Sequence, residues 1–191
     1  VGRKSLKTQK VSNILDAFEA CIKRQGLQGT TLDDIAKEAQ MARRMVRHYT
    51  GNKEQLVALG VARIIEKFNQ SAFSIIDQHN TKNRLETGLD YLFSEAFNTH
   101  DATQSIAALL PVSFHDEQVK AALKTIYDTL QYNIDSEIAI AKPNADPKIR
   151  QRTSYNIMCL AFGGGWMLNL GFNPSLNQQN KLVAQQLIAQ M

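Results

Sequence analysis

Apolar residues recur at helical spacing from one end of the chain to the other. Over about residues 5–25, Ile14, Leu15, Phe18, Cys21 and Ile22 fall on one side of a 3.6-residue repeat, with polar residues around them. Gly26 predicts the stop of this helix. After LQGTT, Thr30 or Thr31 caps a second helix, with Asp33 or Asp34 at its third position. That helix, LDDIAKEA, turns Leu32, Ile35, Ala36 and Ala39 inward, and QMA separates it from a third, RRMVRHY. TGN breaks the chain again, Asn52 can cap, and KEQLVALGVARIIEKFNQSAFSIID reads as one long helix.

Five more helices are predicted at about 82–99, 103–110, 116–141, 147–171 and 175–190. Their breaks fall at Asn80–Thr81, His100–Asp101, Pro111, Pro143, Pro147 and Pro174. No alternation of period two persists between turn signals, so no strand is predicted. The expected fold is all-α, with about nine helices. Residues 1–52 form a compact three-helix unit, and 53–191 a larger helical bundle that the fourth helix joins to it.

Charge changes this picture more than composition does. The net charge is +4. Residues 1–53 hold eleven Lys and Arg against five Asp and Glu, a local +6 that leaves −2 for the rest. A basic front end on a mildly acidic body suits a polyanion-binding module. No apolar run approaches the ~18 residues of a membrane span, and no leader pattern opens the chain. Val1 at its start leaves open whether residues precede it. Cys21 and Cys159 lie far apart in helical patterns, without metal-ligand spacing. Both are expected as buried, reduced thiols in a cytoplasmic protein.

The two short helices give the basic charge a purpose. Joined by a turn of three or four residues, they form a helix-turn-helix, whose second helix enters the DNA major groove. Ile35, Ala36 and Val46 would pack the pair, and Arg43, Arg44, Arg47 and His48 would face outward. An arginine fork matches guanine O6 and N7 in two parallel hydrogen bonds.

The stretches ILDAFEACIKRQGLQGTTLDDIAKEA and VRHYTGNKEQLV resemble the DNA-binding domain of the tetracycline-repressor (TetR-like) family of bacterial regulators. Three places depart from that pattern. The turn reads Ala39-Gln40-Met41-Ala42 where Ala-Gly-Val-Ser is usual, Arg47 stands for a frequent Tyr, and Thr50 for the usual Phe. The missing Gly removes the easiest route to a positive φ, and the missing Ser removes a side-chain cap. The resemblance implies base readers at Arg43, Arg44, Arg47 and His48, with Met45 against a thymine methyl. It places phosphate contacts at Thr31, Tyr49 and Lys53, the last at a helix N-terminus. Arg3, Lys4 and Lys7 would form an arm on the backbone or minor groove.

The body carries no catalytic constellation. There is no nucleophile elbow, phosphate loop or paired His–Glu metal site, and no cofactor or metal is expected. His79, His100 and His115 read as surface or cap residues, and Tyr127, Tyr132 and Tyr155 as packing residues with the hydroxyl at a rim. The unusual piece is FGGGWMLNLGF, since each glycine costs roughly 1 kcal/mol against Ala inside a helix. A close helix, a pressed ligand or a helix break would each account for it. The segment is similar to the penultimate helix of choline-regulator-like (BetI-like) family members. In the wider family the last two helices form a four-helix dimer interface, which here implicates Gly163, Gly164, Gly165, Leu176, Val183, Leu187 and Met191. A ligand pocket would draw on Phe68, Phe97, Phe114, Tyr127, Phe162 and Trp166.

The reading that follows is a homodimeric transcriptional regulator, most often a repressor in this family. It would bind a palindromic double-stranded operator and leave when a small-molecule effector binds. The alternative is an effector-independent architectural or spatial-marker protein of the same fold. An enzyme with an incidental basic face is the third reading, and no motif supports it.

Overall fold

The computed structural model describes the backbone of residues 2–77 and 84–191, and the side chains of residues 6–70 and 84–191. Ten helices run through the described residues: α1 Gly2–Gly29, α2 Leu32–Glu38, α3 Arg43–Thr50, α4 Lys53–Asp77, α5 Arg84–Leu92, α6 Glu95–Thr99, α7 Asp101–Ser113, α8 Glu117–Ala141, α9 Pro147–Asn169 and α10 Ser175–Ala189. The all-α expectation holds. The chain divides into two compact units, Val1–Phe68 with Asp101–Lys124, and Asn69–His100 with Thr125–Met191.

In the first unit the predicted face of α1 is the core. Ile14, Phe18, Cys21 and Ile22 are fully buried, with Ile35, Ala36, Val46 and Leu56 from the next three helices. The stop at Gly26 is real, because its φ of 72° lies outside the helical range. One more turn then carries Leu27 back into the core. Gly60 permits close approach of α4 to α1, since a Cβ there would lie 2.3 Å from the Phe18 ring. Buried Glu19 on α1 accepts from Arg63 Nε and Lys67 Nζ on α4, each at 2.8 Å. Arg63 also donates to the Ser12 carbonyl and pairs with Asp16. Losing Arg63 would leave the buried Glu19 carboxylate short of a partner, so this cluster fixes how α4 lies along α1.

The second unit packs α9 against α10 around Ile157, Ala161, Ala184 and Ile188. Asp146 caps α9, its Oδ1 accepting from the Lys148 and Ile149 amides, with Pro147 as the first helical residue.

Three expectations are corrected. The single helix at 82–99 is two, because Ser94 ends α5 and caps α6: its hydroxyl donates to the Tyr91 carbonyl and accepts from the Phe97 amide. Asn80–Thr81 and His79 lie outside the described residues. Pro111 does not break the chain but sits inside α7, two residues before its end. Only a last turn follows it, where the Ser113 hydroxyl satisfies the Leu110 carbonyl. Cys21 is buried as expected, with burial pushing its thiol up, whereas Cys159 on α9 is exposed.

Candidate nucleic-acid interface

The turn between α2 and α3 sets the direction in which α3 leaves α2. Thr31, not Thr30, caps α2: its hydroxyl accepts from the Asp34 amide, and Asp34 accepts from the Thr31 amide and hydroxyl. These bonds hold the Asp34 carboxyl below its ordinary range. At the other end of α2, the Met41 amide reaches the Ala36 carbonyl at 2.9 Å and the Gln40 amide reaches Lys37 at 3.1 Å. This is a Schellman ending, which needs a left-handed residue at its hinge. Gln40 supplies it with φ 52°, where the family pattern has Gly. Ala42 then starts α3 with no side-chain cap, as its sequence predicts.

Helix α3 is held by two buried residues. Val46 has no exposed surface, and Thr50 bonds its hydroxyl to the Val46 carbonyl at 2.9 Å. The hydroxyl thus satisfies itself where the family pattern places an apolar ring. With Val46 inward, Arg43, Arg44, Arg47 and His48 all face solvent, as does Met45 at 37% exposure. Tyr49 is half-buried and meets the His48 ring edge-on at 5.1 Å. Lys53 is exposed at the start of α4, which Asn52 and Gln55 cap reciprocally at 2.9 and 3.0 Å. No acid lies on α3. Arg43 pairs with Asp33 at 2.8 Å, a contact the sequence reading missed. Both donors of Thr31, a predicted phosphate contact, are turned to Asp34. Arg3 and Lys4 lie outside the residues whose side chains are described; Lys7 is exposed on α1.

In the second unit, four rings form a chain of edge-on contacts. Tyr91 meets Phe97 at 5.4 Å, Phe97 meets Phe162 at 5.5 Å, and Phe162 meets Tyr127 at 4.9 Å. Burial pushes the Tyr127 hydroxyl up to about 12, so it stays a neutral donor at any physiological pH. Three expected pocket residues therefore meet. Phe68 is buried in the first unit, Phe114 is 75% exposed there, and Trp166 is 42% exposed on α9.

The glycine run is continuous helix. A Cβ at Gly164 would lie 2.3 Å from Asn177 Oδ1, and one at Gly165 would lie 2.1 Å from Asn98 Oδ1. Gly164 and Gly165 thus admit amide side chains of their own unit, while Gly163 faces open space. Outward from α9 and α10 stand Tyr155, Trp166, Met167, Leu170, Leu176 and Val183, all exposed. Leu187 and Met191 are half-buried. Between the two helices lies a cleft of about 380 Å³, lined by Cys159, Gly163, Met167, Phe172, Leu176 and Asn177 among others. Among the described residues no helix is long and apolar enough to cross a membrane, and no His, Cys, Asp and Glu cluster could hold a metal.

Residues 14–72 match the family "Bacterial regulatory proteins, tetR family". The HTH-type transcriptional regulator BetI of Burkholderia ambifaria is 25% identical over 145 residues, which is 75% of this chain and 74% of that protein. The fold is shared with a TetR-family regulator from Cytophaga hutchinsonii, at TM-score 0.79 and 15% identity over 97% of this chain and 96% of that one. A TetR transcription regulator from Haloarcula marismortui gives TM-score 0.78 and 16% identity, over 96% and 98% of the two chains. The N-terminal region thus has the DNA-binding fold of these transcription regulators, whose family members are not enzymes.

The hinge makes a direct prediction. Gln40→Gly removes the left-handed penalty and raises unfolding free energy by about 1 kcal/mol. Ala42→Ser restores a cap and adds about 1 kcal/mol. Urea denaturation of the two variants and the double variant measures both gains.

Proposed function

We propose that this TetR-like chain is a cytoplasmic transcriptional regulator, most simply a repressor, that binds a palindromic operator as a homodimer and leaves it when a small molecule binds. The observation that carries this reading is α3 itself: three arginines and a histidine exposed on a helix pinned by fully buried Val46. Residues 1–52 contact DNA, and 53–191 hold the effector and the second subunit.

Arg43, Arg44, Arg47 and His48 read base edges in the major groove, with Met45 against a thymine methyl. Tyr49, Lys53 and Thr31 position the backbone. For Thr31 this requires a hydroxyl rotation away from Asp34. The exposed apolar face of α9 and α10 supports the dimer, whose two recognition helices must match grooves about 34–36 Å apart. The ring cluster at Phe97, Tyr127 and Phe162 supports an effector with an apolar or aromatic body and an acceptor for the Tyr127 hydroxyl. Such a ligand releases DNA by its greater affinity for a dimer whose spacing no longer matches. Helix α4 runs unbroken from Lys53 and is the lever of that change.

DNA affinity should fall with salt at a log–log slope of about −0.9 per neutralised phosphate. In the same titrations Arg47→Ala loses about 1–3 kcal/mol of discrimination at one base pair, while Lys53→Ala weakens every sequence alike. A flat salt dependence, or two variants behaving identically, contradicts the assignment.

Sedimentation should show a dimer that Val183→Arg converts to monomer, with loss of operator binding and no loss of helicity. Exposed Cys159 reports the same event, since maleimide should label it faster in the monomer.

A thermal-shift screen of small aromatic and apolar compounds tests the effector. A hit should raise the melting temperature and release operator, and Phe162→Ala should abolish both effects. A hit whose action survives that substitution binds elsewhere.

A further inference from the structure

Arg43 differs from the other cations of α3. Its Nη1 donates to Asp33 Oδ2 at 2.8 Å, reaching from the recognition helix to the first turn of α2. Arg44 and Arg47 make no ion pair among the described residues. The pair is open to solvent, with 56% of the arginine and 65% of the aspartate side chain exposed.

Neither folding nor capping accounts for it. An ion pair this exposed adds little to stability. The cap of α2 is already complete, because Asp34 takes the Thr31 amide and hydroxyl while Thr31 takes the Asp34 amide. Asp33 and Asp34 are neighbours with separate tasks, one closing the helix end and the other held against a DNA-facing guanidinium.

Two physical effects follow from a carboxylate in that place. It narrows the rotamers of Arg43, while Nε and Nη2 remain without a partner among the described residues. A side chain already oriented loses less freedom when it makes a two-point contact. The carboxylate also lowers the net charge that Arg43 shows to a phosphate. Both effects favour a base edge over the backbone.

We propose that Asp33 is a specificity-determining residue that acts through Arg43, fixing its guanidinium for one base pair of each half-site and withholding it from phosphates. This rests on the DNA-binding reading above.

Sequence selection from a duplex library randomised over about two helical turns tests it, using the full chain. The wild type should prefer one base pair per half-site by about tenfold or more through this contact. In Asp33→Asn that preference falls to about twofold or less. Binding to an unselected random duplex tightens instead, and its salt slope steepens by about 1 as Arg43 becomes free for a phosphate. Asp33→Glu retains most of the preference. Arg43→Ala loses it, and adding Asp33→Asn to that variant changes the selected sequence no further. Thermal melts check that each variant is folded. If Asp33→Asn tightens all sequences by one factor with the motif unchanged, Asp33 is only a charge and the proposal is overturned while the DNA-binding reading stands. If the wild type enriches no sequence, that reading falls and takes this one with it.

Discussion

The burial of Val46 beneath α1 and α2 is the constraint on which the exposed arginine face of α3 depends. A helix of eight residues has no stability of its own in water. Three arginines within five positions add mutual repulsion. What orders α3 is therefore tertiary, and among its side chains only Val46 and Thr50 are buried. Because residues step by about 100° around a helix, that anchor also decides which side chains point outward. Phe18 and Ile22 on α1 and Ile35 and Ala36 on α2 are buried in the same unit, on the two helices that α3 packs against.

The acids of the front end complete this arrangement. Asp16 and Glu19 engage Arg63, and Glu19 also takes Lys67. Glu38 pairs with Arg24 at 3.0 Å, and Asp34 closes the cap of α2. Among the described residues only Asp33 pairs with a cation of α3. The acids thus leave Arg44 and Arg47 unneutralised on α3, alongside exposed Lys7, Lys10, Lys37 and Lys53 elsewhere in the first 53 residues.

The helix-turn-helix was legible in the sequence because its signals are local. Apolar spacing located the core face of α1, and Gly26, Thr31 and Asn52 each terminate or cap a helix through neighbours a few residues away. Even the departure at Gln40 pointed to the right place, since the turn demands a left-handed residue whatever its side chain. Features set by distant partners were not legible. Gly164 and Gly165 are explained by Asn177 and Asn98, which no periodicity connects to them. Pro111 lies inside α7 although it gives up its amide bond to the preceding turn, a cost that the local pattern reads as a break. Ser94 followed by Glu95 did offer a capping signal that would have split the 82–99 helix. For Asp33, an acid in the first turn of α2 was the only hint, and the partner ten residues on appears only in three dimensions.

The first compact unit is not one stretch of chain. It takes in Asp101–Lys124 as well as the N-terminal residues, and α7 packs directly on α1, with Lys23 paired to Asp101. The unit that holds α3 is therefore inherited in two pieces. A single genetic crossover after α4 would carry the arginines to a new body but leave behind Ile106 and Leu109, two of the fully buried side chains of their scaffold. Shuffling between relatives would succeed only where the incoming α7 happens to fit the resident α1, so the front and the middle of such a gene are bound to drift together.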